Sequence, residues 1–184
     1  MKRFCENFFE SAKELRNLRS LVGMAVLVAL GVVLTYVSIP INENNRIGLV
    51  FLPQALMGMM YGPVAGTLAA AVGDIVGFMI KPTGPYFPGF TFTAMLSSMV
   101  YAFFYYRRKP VLWKAIVSKI ITTVFLSVML NTLWVSVLYG NPFIASLWTR
   151  LPRIAVSLPI EIIILYLVMG AVSKALAHTR LRIG

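Results

Sequence analysis

The sequence predicts an all-α integral membrane protein, and three observations carry that expectation. Hydrophobic residues make up 59% of the 184 and charged ones only 12%, about half the roughly 25% of soluble domains. So few charges cannot cover a water-exposed surface, and such high hydrophobicity excludes intrinsic disorder. Uncharged runs long enough to cross about 30 Å of hydrocarbon recur along the chain. The basic residues between these runs are distributed unequally, as membrane orientation requires. One membrane domain is expected over residues 21–176, with an interfacial segment over 1–20 before it and a basic cytoplasmic tail over 177–184.

The elements follow in chain order. Residues 1–20 carry a helical stripe of Phe4, Phe8, Ala12 and Leu15 opposite Lys2, Lys13, Arg16 and Arg19. That pattern predicts a short amphipathic helix lying on an anionic membrane surface. The run 21–39 is too long for a signal-peptide core and reads as a retained helix. Residues 47–80 are too many for one straight crossing, and Tyr61-Gly62-Pro63 interrupts them. Two helices are expected there, 47–60 and 63–80. Further spans are expected over 87–106, 120–139 and 154–173, the last containing Glu161.

Charge fixes the count. Six spans place thirteen basic residues, Lys119 among them, on the cytoplasmic side and four (Arg46, Lys81, Arg150, Arg153) outside. Reading 47–80 as one span gives eight and nine, so six transmembrane helices with both termini cytoplasmic are preferred. The net charge of +11 is then explained by orientation and lipid headgroups, and no nucleic acid is needed.

The sequence holds no phosphate-binding glycine loop, no H-E-x-x-H and no G-x-S-x-G. Cys5 has no companion and His178 reads as a solvated tail residue, so no metal or cofactor is expected. Chemistry concentrates instead on two intramembrane acids, Asp74 and Glu161. Asn131 and Trp134 share a helical face near them, and Arg46, Tyr86, Arg150 and Arg153 come from outer loops. Each has a plainer reading: Asp74 pairs an arginine, Glu161 satisfies backbone freed by Pro159, and Trp134 joins an interfacial aromatic belt. Taken together they outline a pocket open to the outside, suited to an organic anion with a polar ring. The inner halves of the spans read as nearly free of polar groups, which argues against a channel or proton relay. Residues 81–91, with three prolines, two glycines, Tyr86, Phe87 and Phe90, read as a pre-shaped aromatic lid. Ala25 and Ala29 form a small-residue pair that permits close helix approach.

Several of these segments resemble a known family. They are Arg46-Ile47-Gly48, Phe51-Leu52-Pro53, Tyr61-Gly62-Pro63, Gly73-Asp74 and above all the stretch from Pro82 to Thr91, PTGPYFPGFT. The chain from 21 to 173 resembles the substrate-binding S components of energy-coupling factor (ECF) vitamin transporters, most closely the folate-specific branch. The resemblance implies a non-enzymatic subunit of a bacterial plasma-membrane importer that binds its vitamin from outside. It also implies association with a T component and two ABC-type ATPases, with Ala25 and Ala29 on the docking surface. For a folate ligand, Asp74 is the first choice to accept the pterin donors, Glu161 the second, and Asn131 a neutral helper. The glutamate tail is then expected near Arg46, Arg150 or Arg153. Two alternatives remain at this point. One is an S component for thiamine or pantothenate. The other is a small intramembrane enzyme using Asp74 and Glu161 as acid and base, which lacks the usual histidine or metal set.

Overall fold

The chain is described by a computed structural model covering residues 2–36, 38–42, 45–82, 84–140 and 143–183. Side chains are described for these residues except 2–7, 38–42, 45–47, 145–146, 149–153, 177 and 179–183. The elements are α1 (Lys2–Glu14), α2 (Leu18–Tyr36), β1 (Ser38–Asn42), β2 (Asn45–Gly48), α3 (Phe51–Ile80), α4 (Pro88–Tyr105), α5 (Leu112–Ile120), a π-helix (Ile121–Leu130), α6 (Asn131–Tyr139) and α7 (Phe143–Ile183). The protein is a helical bundle carrying one small antiparallel hairpin. Among the described residues, Leu18–Tyr36, Phe51–Ile80, Leu112–Tyr139 and Ile154–Leu176 are long and apolar enough to cross a bilayer.

The second of these stretches is folded on itself. Gly62 has φ 82° and ψ −170° inside α3, so its helical path breaks at the predicted turn. In a straight helix Met57 and Gly66 would lie about 13.5 Å apart along the axis. A Cβ added at Gly66 would instead meet the Met57 carbonyl oxygen at 2.6 Å, so the arms 51–61 and 63–80 pack back on each other. Small residues also set the approach to α4, since a Cβ at Gly58 would come 2.5 Å from the Ser98 carbonyl oxygen. The core beside this contact gathers Ala55, Leu56, Met59, Tyr101, Tyr105, Ala115, Leu165 and Met169 from α3, α4, α5 and α7.

The structure corrects the all-α expectation at the end of the first span. The helix stops at Tyr36, and Ser38–Asn42 pairs antiparallel with Asn45–Gly48. Pro40 disfavours helix at the residue before it, and the flanking Ile39 and Ile41 favour extended backbone.

Three further boundaries move. The fifth helical stretch begins at Leu112 rather than 120, so Lys119 lies within the bundle instead of a cytoplasmic loop. Helix α7 begins at Phe143 rather than 154, so Arg150 and Arg153 sit on a helix backbone and not on a loop. It also continues through Ile183, across residues read as a tail. Its 41 residues extend about 61 Å, longer than a bilayer core. Pro152 and Pro159 do not end it; membrane helices re-satisfy the backbone groups that proline frees.

Helix α1 forms as expected, but Phe8 and Leu15 of the apolar stripe pack inside the protein. The Phe8 ring packs 6.3 Å from that of Phe103, and Leu15 packs on the cluster around Tyr61. Ser11, fully buried, donates to the Tyr61 carbonyl at 2.6 Å and accepts from Val64 and Ala65 N–H at 2.9 and 3.0 Å. A side chain from another helix thus caps the second arm of α3 at its break.

Candidate functional site

From the end of the bundle opposite the Gly62 break, a cavity of two adjoining chambers reaches inward between the helices as far as Tyr101 and Thr122. One has a volume of about 500 Å³ and is walled by α2, both arms of α3, the loop before α4, and α6. Its wall is largely aromatic and apolar, with Phe78, Tyr86, Phe87, Phe90 and Tyr139. The other, about 540 Å³, lies between α3, α4, the π-helix and α7. It is lined by hydroxyls and amides, among them Thr93, Ser97, Thr122, Thr123, Ser127, Ser157 and Asn131. Gln54, Asp74 and Phe90 line both chambers, so the cavity is divided at these residues. Both volumes fall in the range of small-molecule sites.

Asp74 stands at the division. Its Oδ2 accepts a hydrogen bond from Thr91 Oγ1 at 2.7 Å, and Thr91 Oγ1 is 2.9 Å from the Tyr86 hydroxyl. The acid named first for a ligand's ring is therefore also tied to the loop before α4. That loop is held by ring contacts, with Phe78 and Tyr86 centroids 5.2 Å apart and Phe87 and Trp134 5.5 Å apart. Trp134 donates its indole N–H to Thr93 Oγ1 at 3.1 Å, which gives it an anchor beyond an aromatic belt. Gly89 makes the aromatic contact possible, because a Cβ there would lie 2.6 Å from both the Phe87 and Trp134 rings.

Glu161 does not stand alone. Its Oε2 is 3.0 Å from Lys119 Nζ, and the two side chains are only 13% and 5% exposed. The ammonium also lies 3.4 Å from the centroid of the Phe51 ring. Both charges line the polar chamber. Lys119 was assigned to the cytoplasmic surface from its charge and its place before an uncharged run. Starting the helix at Leu112 would have found it, because Lys119, Thr123, Ser127 and Asn131 recur every four residues along one face. The hydrogen-bonded pairs Tyr101–Thr122 at 3.0 Å and Tyr105–Ser118 at 3.3 Å likewise correct the expectation of a nearly apolar inner half. Asn131 Oδ1 is buried in this chamber without a hydrogen-bond partner among the described residues.

Of the expected site residues, the structure brings Asp74, Tyr86, Phe87, Phe90, Asn131 and Glu161 to the cavity wall, with Trp134 packed against Phe87 of the loop before α4. The side chains of Arg46, Arg150 and Arg153 lie outside the described residues. A cation missed by the sequence reading, Lys81, lines the aromatic chamber and donates to the Thr35 carbonyl at 3.2 Å. No group of three or more metal-ligating side chains occurs among the described residues.

A helical bundle with stretches able to cross a bilayer and a divided polar and aromatic cavity has the build of a membrane protein that binds a small molecule. Comparison with known proteins specifies which kind. Residues 19–169 match the family described as ECF transporter, substrate-specific component, and the chain belongs to that family. It is accordingly a transport subunit and not an enzyme. It is 35% identical over 153 residues to the folate transporter FolT of Clostridium novyi (strain NT), covering 83% of this chain and 88% of that one. The FolT of Leuconostoc mesenteroides is 29% identical over 171 residues, covering 90% and 91%. A crystal structure of FolT bound with folic acid superposes with a TM-score of 0.73 at 32% identity, covering 82% of this chain and 92% of that one.

Proposed function

We propose that this chain is the folate-capturing S component of an ECF-type importer in a bacterial plasma membrane. The observation that carries the reading is the likeness to a FolT with folic acid bound, over nearly all of that chain, in a protein whose own cavity suits such a ligand. Folate combines a flat hydrogen-bonding ring, an aromatic linker and an anionic tail. The divided cavity offers a polar chamber, an aromatic chamber and a lysine at the wall of the latter. In this reading the fused ring enters the polar chamber and the linker passes Asp74 and Phe90. The tail lies near Lys81, with Arg46, Arg150 and Arg153 at the same end of the bundle.

The chain crosses the membrane six times with both termini cytoplasmic. The fold-back at Gly62 supports that count, and placing Lys119 inside the bundle leaves the excess of basic residues on the cytoplasmic side large. The cavity then opens outward. Energy comes from partners, a T component and two ATPases, as in the family.

Titration of purified protein with folic acid, followed by tryptophan fluorescence, tests the reading directly because Trp134 packs against Phe87 of the loop before α4. Saturable quenching by folic acid but not by thiamine or pantothenate is expected. Quenching by one of the latter alone would replace folate as the ligand. Lys81→Ala should weaken folic acid by about 2–5-fold, the worth of a partly exposed ion pair. It should weaken pteroate, which has one benzoate carboxylate in place of the glutamate's two, by less, and high salt should shrink both losses.

A further inference from the structure

We propose that the buried Lys119–Glu161 pair reads the hydrogen-bonding edge of the ligand's fused ring. The ammonium donates to the ring carbonyl, and the carboxylate accepts from the adjoining ring N–H and exocyclic amino group. The inference rests on the folate reading above and names the element that orients the ligand.

Three observations carry it. The pair stands on the wall of the polar chamber, almost removed from solvent, with its charges 3.0 Å apart. A donor and an acceptor side by side match a pterin edge, which presents one acceptor followed by two donors. The groups also retain capacity. An ammonium has three N–H donors and a carboxylate about four acceptor sites, of which the contact between them uses one each. The third observation is Asn131, whose Oδ1 is buried in the same chamber and lacks a partner among the described residues. A polar chamber with an unmet amide and a buried ion pair is built for a ligand that hydrogen-bonds.

Asp74 is the other carboxylate on the cavity and fits this edge less well. One of its oxygens is engaged by Thr91. No lysine or arginine is paired with it among the described residues, whereas Glu161 has Lys119 at 3.0 Å. A structural role alone is also a weak account of the Lys–Glu pair. Burying two charges costs more desolvation than a well-packed apolar pair, so such pairs are poor sources of stability.

The test compares folic acid with its 2-deamino-2-methyl analogue, in which the exocyclic donor is lost. Wild-type protein should bind the analogue about 30-fold or more weakly, because the carboxylate is left facing a methyl group. Lys119→Met/Glu161→Met replaces both charges by apolar groups and leaves neither unpaired. It should bind folic acid about 100-fold more weakly and discriminate less than 3-fold. Asp74→Asn should weaken both ligands together and keep their ratio. Equal binding of both ligands by the wild type would overturn the proposal. So would wild-type affinity and discrimination in the double variant, or loss of discrimination in Asp74→Asn. If thermal melts show the double variant unfolded, the wild-type and Asp74→Asn ratios decide alone. A wild-type protein that binds no folic acid sinks the folate reading itself, a different result from folate binding that ignores the pair.

Discussion

Thr91 connects the cavity to the loop before α4. Its hydroxyl bridges Asp74 on α3 and Tyr86 in the loop, so loop position and cavity wall share one hydrogen-bond chain. Thr91→Val keeps the shape and removes both bonds. A net contribution of about 1 kcal/mol predicts ligand release about 5-fold faster, with the association rate little changed. Stopped-flow tryptophan fluorescence reads both rates, and an unchanged release rate would mean that the loop is not held this way. Asp74→Ala should cost more, about 1–3 kcal/mol, because the Thr91 hydroxyl is then left without its acceptor. Asp74 was legible in the sequence because an acid inside an apolar helix stands out. Lys119 was not. A lysine just before an uncharged run looks like an interfacial anchor, and its four-residue spacing with Thr123, Ser127 and Asn131 counts only once the helix is started at Leu112. Lys81 escaped for a similar reason, since a cation in a loop shows no preference for the cavity until the backbone of α2 is placed beside it.

At the level of elements, punctuation was more legible than conformation. Tyr61-Gly62-Pro63 predicted the break in α3, because Gly-Pro pairs interrupt helices whatever surrounds them. The π-helical run Ile121–Leu130 gave no comparable signal, since its residues are as apolar as those of any other span. The capping of the break by Ser11 was equally hidden, because it joins residues 50 or more positions apart. The break yields two stability predictions. At φ 82° and ψ −170° Gly62 occupies a region essentially restricted to glycine. An added Cβ would also lie 2.9 Å from Ser11 and from the Tyr106 ring. Gly62→Ala should therefore destabilise the fold by about 2–4 kcal/mol. Ser11→Ala removes one acceptor from two buried N–H groups and should cost about 1–2 kcal/mol. Detergent-solubilised thermal melts would register both as lower midpoints. Folic acid affinity measured below the melt should hold for Ser11→Ala, since the cavity lies at the other end of the bundle. A loss of affinity there would show that the break and the cavity are coupled.

For the molecule as a whole, the two sides of α2 differ: one is closed against the bundle and the other is exposed. Toward the bundle, Gly31 and Thr35 line the aromatic chamber, and Met24, Leu27 and Val28 pack on the cluster shared with α3. A Cβ at Gly23 would collide with the Tyr61 hydroxyl, so this face is closed by the chain itself. Ala25 and Ala29 are exposed on the other side, among Val22, Val26, Leu30 and Val33. Lipid covers such a face adequately, and a partner helix covers it better where small side chains let two backbones approach. Their exposure leaves the pair free of the packing within this chain. Ala25→Trp or Ala29→Trp should leave folic acid affinity and thermal stability near wild type, because neither position touches the cavity. Either ring should obstruct the close approach of the T component, so reconstituted uptake and co-purification of the assembled transporter should fall at least about 10-fold, a loss of about 1.4 kcal/mol in association. Uptake at wild-type rate in both variants would move the docking surface to another face. Lost ligand binding, with assembly preserved, would mean that this face of α2 supports the cavity rather than the partner.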